Sequence, residues 1–334
     1  MLIVESYPLA VVLCVVTMLC WGSWANTQKL ATRAWRFQLF YWDYSIGVLL
    51  LALLLAFTAG STGSAGRSFL ADLSQAEGRN LGLAFLGGVV FNLSNILLVA
   101  AIDVAGMAVA FPIGVGLALA LGVVTNYLAM PVGNPVPLFA GVAGVVLAIL
   151  LSAAAYRRLP SQGGRTSGKG IGLSVVAGLL MATFYRFVAA SMSTDFRDLT
   201  PGKLSPYSAV AVFSLGLLVS SFLWNTLVML RPFVGEPVPL GDYLRQGTPR
   251  LHLVGILGGM IWNLGMALSI VASGAAGFAI SYGLGQGATL VAALWGVFVW
   301  REFKTAPPGT NRLLAAMFAS FVIGLGLIVY ARVA

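Results

Sequence analysis

"LGGVVFNL" (86–93) and "LGGMIWNL" (257–264) decide how this chain is read. Laid over one another they set an offset of 171 residues, and that offset continues without a gap. Ala105, Gly106 and Ala108 fall on Ala276, Gly277 and Ala279. Gly114 and Gly116 fall on Gly285 and Gly287, and Asn92 falls on Asn263. One register held across two apolar segments and the turn between them is the mark of an internal duplication. A chance match of two glycine-rich apolar stretches is the competing explanation, and it leaves the ungapped continuation unexplained.

The solvent of the fold follows from composition. The 334 residues are 59% hydrophobic and only 9% charged, against about 25% charge in ordinary soluble domains. So much apolar surface needs a bilayer around it. A membrane helix takes about 20 mainly apolar residues. Ten such spans are predicted: 7–28, 38–59, 80–101, 105–128, 136–156, 170–192, 207–230, 251–272, 276–299 and 311–331. The alternation expected of a membrane barrel is absent, so the class is an all-α polytopic membrane protein.

The duplication divides these spans into residues 1–156, a glycine-rich linker at 157–169, and residues 170–334. Each half holds five spans, an odd number, so the second half is expected inverted in the membrane. Inverted repeats are a recurrent build of secondary transporters, with the solute bound between them near the midplane. Lys and Arg fix the orientation. The loops after odd-numbered spans carry 13 of the 19, whereas the termini and the other loops carry 5, and Arg186 lies within a span. Both termini are therefore expected on the outer side, and the linker in the cytoplasm.

Several functions are excluded at this level. Cys14 and Cys20 sit on different faces of the first span, and a single histidine occurs, so neither a metal site nor a Ser/His/Asp triad can be assembled. No catalytic group and no cofactor is expected. The net charge of +9 is spread over short loops and forms no contiguous patch for nucleic acid. "GGRTSGKG" (163–170) approaches a phosphate loop, but Gly170 stands where a hydroxyl would hold Mg²⁺. The flanking strand is missing too, which leaves a flexible linker.

Polar groups inside a bilayer are costly and face a cavity or another helix. Trp24, at the end of the first span, either stacks on a ring-shaped solute or belongs to the interfacial aromatic belt. Asn92 and Asn95 share one helix face, and their amides either ligate a solute or tie helices together. Asn263, Tyr282 and Gln286 are the candidates from the second half. Gly22, Gly88, Gly114, Gly259 and Gly285 are expected to bring helices close. Arg186 is read as a gating group, with Asp195 as its partner, or as a ligand to a solute oxygen. Asp43, in "YWDYSIG" (41–47), is a coupling or gating acid near the cytoplasmic end, with Arg33 and Arg36 as the nearest charges.

Six ordered stretches complete the reading: "YWDYSIG", "FLADLSQ" (69–75), "GGVVFNLSN" (87–95), "TNYL" (125–128), "LSPYSAVAVFS" (204–214) and "LVAALWGVFVWREFK" (290–304). Together they resemble the ureide permeases, plant transporters of the drug/metabolite transporter superfamily. The bacterial glucose/ribose uptake proteins are more distant relatives. The resemblance implies ten helices in two inverted five-helix repeats and proton-linked uptake of allantoin, uracil or xanthine. Plant members also carry a glycine-lysine motif in the central loop, from which this chain departs at Gly170. The expectation is an importer of a small neutral solute, a ureide or nucleobase, working by alternating access with protons as the coupling ion. Monosaccharide or nucleoside uptake is the alternative, and export a weaker one. The Ala-, Gly- and Arg-rich, short-looped chain suggests a bacterial inner membrane, with the lipid bilayer and the solute as its partners.

Overall fold

The computed structural model describes residues 1–31, 35–159 and 168–334. The helices are α1 (Tyr7–Ser23), α2 (Asn26–Leu30), α3 (Phe37–Phe57), α4 (Phe69–Gln75), α5 (Gly78–Ala105), α6 (Met107–Ala129) and α7 (Pro135–Tyr156). They continue as α8 (Gly168–Ser191), α9 (Pro206–Leu230), α10 (Asp242–Gln246), α11 (Pro249–Ala276), α12 (Phe278–Gly285), α13 (Ala288–Leu294) and α14 (Thr310–Tyr330). Most of the 157–169 linker, Gly163 with it, and Arg33 lie outside the described residues. Gly168, Lys169 and Gly170 form the first turn of α8.

Local sequence sets the helix starts. Proline stands in the first turn of α1, α7, α9 and α11, where its missing N–H costs nothing. Asn134, Ser205 and Thr248 precede three of them and accept hydrogen bonds from Val136, Ser208 and Leu251 N–H groups.

Among the described residues, nine helices are long and apolar enough to cross a membrane, not ten. The first expected span is broken. It runs as the 17 residues of α1, a turn at Trp24 and Ala25, and then α2. The break has a local cause. Asn26 Nδ2 donates to the Ser23 carbonyl at 3.2 Å and Thr27 Oγ1 to that of Trp24 at 2.6 Å. Those side chains compete with the helix for its own carbonyls. The ninth span is interrupted between Gly285 and Ala288, and it closes in a wide turn at Trp295–Val299.

Helix packing comes in matched pairs. α5 lies on α8 as α1 lies on α11, and α5 lies on α9 as α11 lies on α3. α6 meets α8 as α12 and α13 meet α1. Three further contacts, α7 with α14, α3 with α9 and α6 with α12, join corresponding elements of the two halves, whereas the α6–α7 contact within the first half has only a slight counterpart between α12 and α14.

Glycine makes these contacts. A methyl group on Gly88 would collide with the Phe213 carbonyl, and one on Gly259 with the Tyr44 carbonyl. A methyl on Gly216 would strike the Phe85 carbonyl, and one on Gly47 the Ile256 carbonyl. Residues 85 and 88 map onto 256 and 259 by the offset found in the sequence, so the same backbone-to-backbone seat is built twice. Gly22 approaches Ala288 and Val291, while Gly114 meets Leu98 and Gly285 meets Trp21. Gly106 (φ 78°) and Gly277 (φ 85°) each turn the chain from one helix directly into the next, in a region that side chains with a Cβ avoid.

One end of the bundle is stitched by the segment that carries "FLADLSQ". The fully buried Asp72 accepts from Arg67 Nε at 2.9 Å and from the Ser205 N–H at 2.7 Å. Arg67 in turn donates to the carbonyls of Leu199 and Lys203. Its guanidinium thus fastens α4 to the loop that starts α9.

Because those glycine seats meet backbone rather than movable side chains, Gly88→Ala and Gly259→Ala should each destabilise the fold by roughly 1–3 kcal/mol, the usual cost of overpacking. Thermal unfolding of detergent-purified protein measures it. Gly116→Ala and Gly172→Ala, which meet open space, should leave the unfolding temperature unchanged.

Candidate functional site

A connected set of aromatic rings fills the middle of the bundle. Trp21 stacks on Trp262 with centroids 5.8 Å apart, Trp24 packs on Tyr44 at 4.8 Å, and Phe91 lies 4.3 Å from Trp262. Phe91 leads to Phe184 at 5.0 Å, and Phe184 to Tyr282 at 6.4 Å. α1, α3, α5, α8, α11 and α12 each supply a ring. Tyr282 is fully buried, and its hydroxyl lies 3.2 Å from the carbonyls of both Ala118 on α6 and Met181 on α8. It bars the space between those helices.

The two equivalent asparagines stand in different surroundings. Asn92 Oδ1 accepts from the Tyr41 hydroxyl at 2.9 Å, and its Nδ2 lies within 3.1 Å of the Leu217 carbonyl and the Ser220 and Ser221 hydroxyls. Its amide is therefore spent on joining α5 to α3 and α9. Asn95 Nδ2 donates to the same Tyr41 oxygen at 3.2 Å. Asn263 is equally buried, yet its Nδ2 has no partner and its Oδ1 receives only a 3.5 Å approach from Ser214. The Tyr44 hydroxyl, beside Trp262, has no partner either. Unsatisfied groups of this kind cost about 1–3 kcal/mol each.

Asp43 has a partner that the sequence did not suggest. Its buried carboxylate lies 2.9 Å from His252 Nδ1 on α11 and accepts from the Tyr243 hydroxyl on α10 at 2.5 Å. Trp35 stands edge-on to His252 at 5.2 Å. Arg36 is not its partner, because its Nη1 donates to the Glu236 carbonyl at 2.9 Å. Tyr243 lies outside the spans, and its phenol is held well above the usual range by burial first and by Asp43 second. Helical periodicity explains the outcome: Asp43 is aimed at α11, where Gly255 leaves room for it.

Two cavities flank the aromatic set, at opposite ends. One of about 150 Å³ lies at the α2 end. It is lined by Asn26, Lys29, Pro112, Tyr156, Trp295 and Glu302 among others, with Glu302 bonded to Tyr156 at 2.7 Å and to Lys29 at 3.4 Å. The other, of about 360 Å³, lies at the α4 end and takes in Arg79, Asn126, Arg186 and Lys203. The expected Arg186–Asp195 pair is not formed. Asp195 instead caps its own loop, accepting from the Arg197 N–H at 2.8 Å. Trp24, Asn92, Asn95, Asn263, Tyr282 and Gln286 line neither cavity. Gln286 lies in the break between α12 and α13. Sequence reasoning missed His252 and Tyr243, and it read Tyr44 as part of an interfacial belt where the structure buries it. Among the described residues, no cluster of three or more His, Cys, Asp or Glu could hold a metal ion.

Comparison with known proteins agrees with this architecture. The family model for ureide permease matches residues 40–161 and 157–331. Ureide permease 1 of Arabidopsis thaliana is 23% identical, over 98% of this chain and 98% of its own length. Ureide permease 2 of the same plant is 24% identical over 98% of each. Probable ureide permease A3 of Vigna unguiculata is 23% identical over 90% of this chain and 97% of its own. A solved structure described only as that of a protein shares the fold, with a TM-score of 0.59 at 18% identity, covering 98% of this chain and 99% of the other.

If His252 and Asp43 act as one unit, His252→Ala should lower stability by on the order of 1–3 kcal/mol by leaving a buried carboxylate with one partner fewer. The same change in an Asp43→Asn background should cost less. A double-mutant cycle on thermal unfolding reads the difference, and additive losses would contradict direct coupling.

Proposed function

From its membership in the ureide permease family, to which this chain belongs, we propose that the protein imports a small planar neutral solute, a ureide or a nucleobase such as allantoin, uracil or xanthine. The observation that carries this reading is the unpartnered Tyr44 hydroxyl, packed against Trp24 and Trp262 in the aromatic cluster, with a second unpartnered atom, Asn263 Nδ2, on the residue that follows Trp262. A buried donor without an acceptor is costly in lipid, and it is kept where another partner comes to it. A flat heterocycle with carbonyl and imide groups supplies that partner and offers a face to Trp24, Trp262 and Phe91. Asn92 and Asn95 then hold Tyr41 in place beside the solute. Gln286 lies at the break in the ninth span and Tyr282 one turn before it, where a change in helix direction opens or closes the path.

The mode of action we propose is alternating access by two inverted five-helix halves, residues 1–156 and 170–334 joined by the 157–169 linker. Three findings support it: the matched helix contacts, the paired glycine seats, and the cavities at opposite ends of a closed aromatic set. Asp43 and His252 tie α3 to α11 at one end, and gain or loss of a proton changes the charge on this pair and with it the strength of the tie, which links solute movement to a proton gradient. The arrangement of Lys and Arg supports a cytoplasmic position for that end, with both termini facing out. We place the protein in a bacterial inner membrane on its composition.

Tyr44→Phe separates solute binding from structure. A purely structural hydroxyl with no partner can be removed at no cost, so stability should be kept or raised while uptake of radiolabelled solute into proteoliposomes falls about tenfold, near 1.4 kcal/mol. Unchanged uptake would reject the site. Asp43→Asn should permit solute exchange while abolishing pH-driven accumulation. Retained accumulation in that variant would remove Asp43 from coupling.

A further inference from the structure

The offset of 171 also joins the loops that lead into α5 and α11. Residues 69–75 fall on 240–246, so α10 is the counterpart of α4. Phe69 falls on Leu240, Asp72 on Tyr243, Leu73 on Leu244 and Arg79 on Arg250. The two copies sit differently. Phe69 is 4% exposed, and Asp72 fixes α4 to Arg67 and to the start of α9. On the other copy Leu240 is 51% exposed and Leu244 81%. These two leucines stand one turn apart, and Val234, earlier in the same loop, is exposed as well. The loop joins α9 to α11, both long enough to span, so it lies where hydrocarbon gives way to headgroups. Exposed leucines are unfavourable in water at that level and favourable in the acyl boundary.

Charge points the same way. Arg231 opens the loop, Arg245 lies on α10 and Arg250 on the first turn of α11. All three are exposed, and among the described residues none forms an ion pair. Arg36 and Lys169 reach the loop from the starts of α3 and α8, donating to the Glu236 and Phe233 carbonyls. Glu236 and Asp242 are the acids of the loop, so positive charge is in excess. Arginines beside exposed apolar side chains match a surface of acyl chains under anionic phosphates.

The other side of α10 faces inward. Tyr243 donates its hydroxyl to Asp43 Oδ1 at 2.5 Å, and its ring lies 4.8 Å from that of His252. Gly247 leaves room for the His252 ring beside the Tyr243 carbonyl, where a methyl group would strike both. Backbone hydrogen bonds of this segment stay local, as from Asp242 to Pro239 and from Arg245 to Gly241. One tyrosine therefore carries the polar tie between α10 and the bundle.

We propose that the 231–248 loop docks on an anionic lipid leaflet, with Val234, Leu240 and Leu244 in the acyl boundary and Arg231, Arg245 and Arg250 on lipid phosphates, and that this docking holds Tyr243 on Asp43. Anionic lipid then regulates the Asp43–His252 pair, because a leaflet that releases α10 also withdraws a hydrogen bond from the carboxylate. The docking rests on the loop alone, whereas its consequence for transport rests on the role proposed above for Asp43.

The test uses the whole protein with a nitrobenzoxadiazole fluorophore on Leu244→Cys. It is held in nanodiscs of phosphatidylcholine alone or of an equal mixture with phosphatidylglycerol. The wild type, whose Cys14 and Cys20 are buried, goes through the same labelling as the blank. In the mixture the fluorophore should brighten about twofold and be quenched by nitroxides carried high on the acyl chains. Raised salt, or Arg245→Gln combined with Arg250→Gln, should remove most of that gain. Amide hydrogen exchange over 239–248 should slow roughly threefold in the mixture, as expected of a segment tied down. Tyr243→Phe should keep the fluorescence gain and lose the slowing. Equal emission in the two kinds of disc overturns anionic docking, and so does a gain reproduced by free inorganic phosphate with phosphatidylcholine alone. Slowing that survives Tyr243→Phe overturns the link to Asp43. None of these readouts needs a solute to cross, so failed uptake would count against the proposed function and leave the docking standing.

Discussion

Backbone against backbone at Gly47, Gly88, Gly216 and Gly259 is the contact on which the rest of the structure depends. Lipid chains are as apolar as leucine, so no hydrophobic force presses membrane helices together. They associate where surfaces approach closely enough for dispersion and polar contacts to accumulate. Each of these glycines sets its helix directly on a neighbour's carbonyl. α3 is thereby held to α11 and α5 to α9. Those two seats fix the distances across which Trp262, Phe91, Tyr44 and Phe213 must meet. The aromatic cluster is a consequence of the glycine seats, and so are the tyrosine and asparagine hydrogen bonds within it.

The repeat read in the sequence is matched by similar glycine seats in the two halves, with different groups around them. Asn92 and Asn263 occupy equivalent positions in the two halves, yet only Asn92 is fully bonded. Its partners Ser220 and Ser221 lie on α9, two turns beyond the Phe213 seat. Counted from the equivalent seat at Tyr44 on α3, the same places hold Leu51 and Ala52. Val210 likewise stands where Tyr41 would have to be. The second half thus keeps the amide and lacks the groups that would quench it. What serves as a helix tie in one half is left available in the other.

This asymmetry was legible in the chain, because the α3 and α9 equivalence follows from the same duplication, although only the α5 and α11 match is strong enough to catch the eye. The membrane class, the all-α build and the seat glycines Gly88 and Gly259 were legible for a simpler reason, since composition and small-residue spacing dictate them locally, whereas Gly47 and Gly216 emerged only with the packing. Asp43 shows the limit. Sequence distance favoured Arg36, but it caps α3 seven residues before Asp43, about 10 Å along the helix axis, and its guanidinium is taken by the Glu236 carbonyl. His252, the only histidine in the chain, lies far off in sequence and is brought beside Asp43 only once α3 and α11 are packed. The break after Ser23 was missed because the hydropathy of the span runs through it, while Asn26 and Thr27 act on individual carbonyls. The cationic cavity was hidden for a similar reason, since Arg79, Arg186 and Lys203 come from three separate elements.

The closed aromatic and amide cluster is proposed to pass a ureide or nucleobase through a membrane. The most direct measurement is the time course of radiolabelled allantoin, uracil and xanthine entering proteoliposomes that contain the wild-type protein, with protein-free vesicles alongside. Saturable entry of at least one of these solutes, above the vesicle background and competed by its unlabelled form, is the predicted result. Entry no faster than the background for all three, from protein that is folded and inserted, would contradict it.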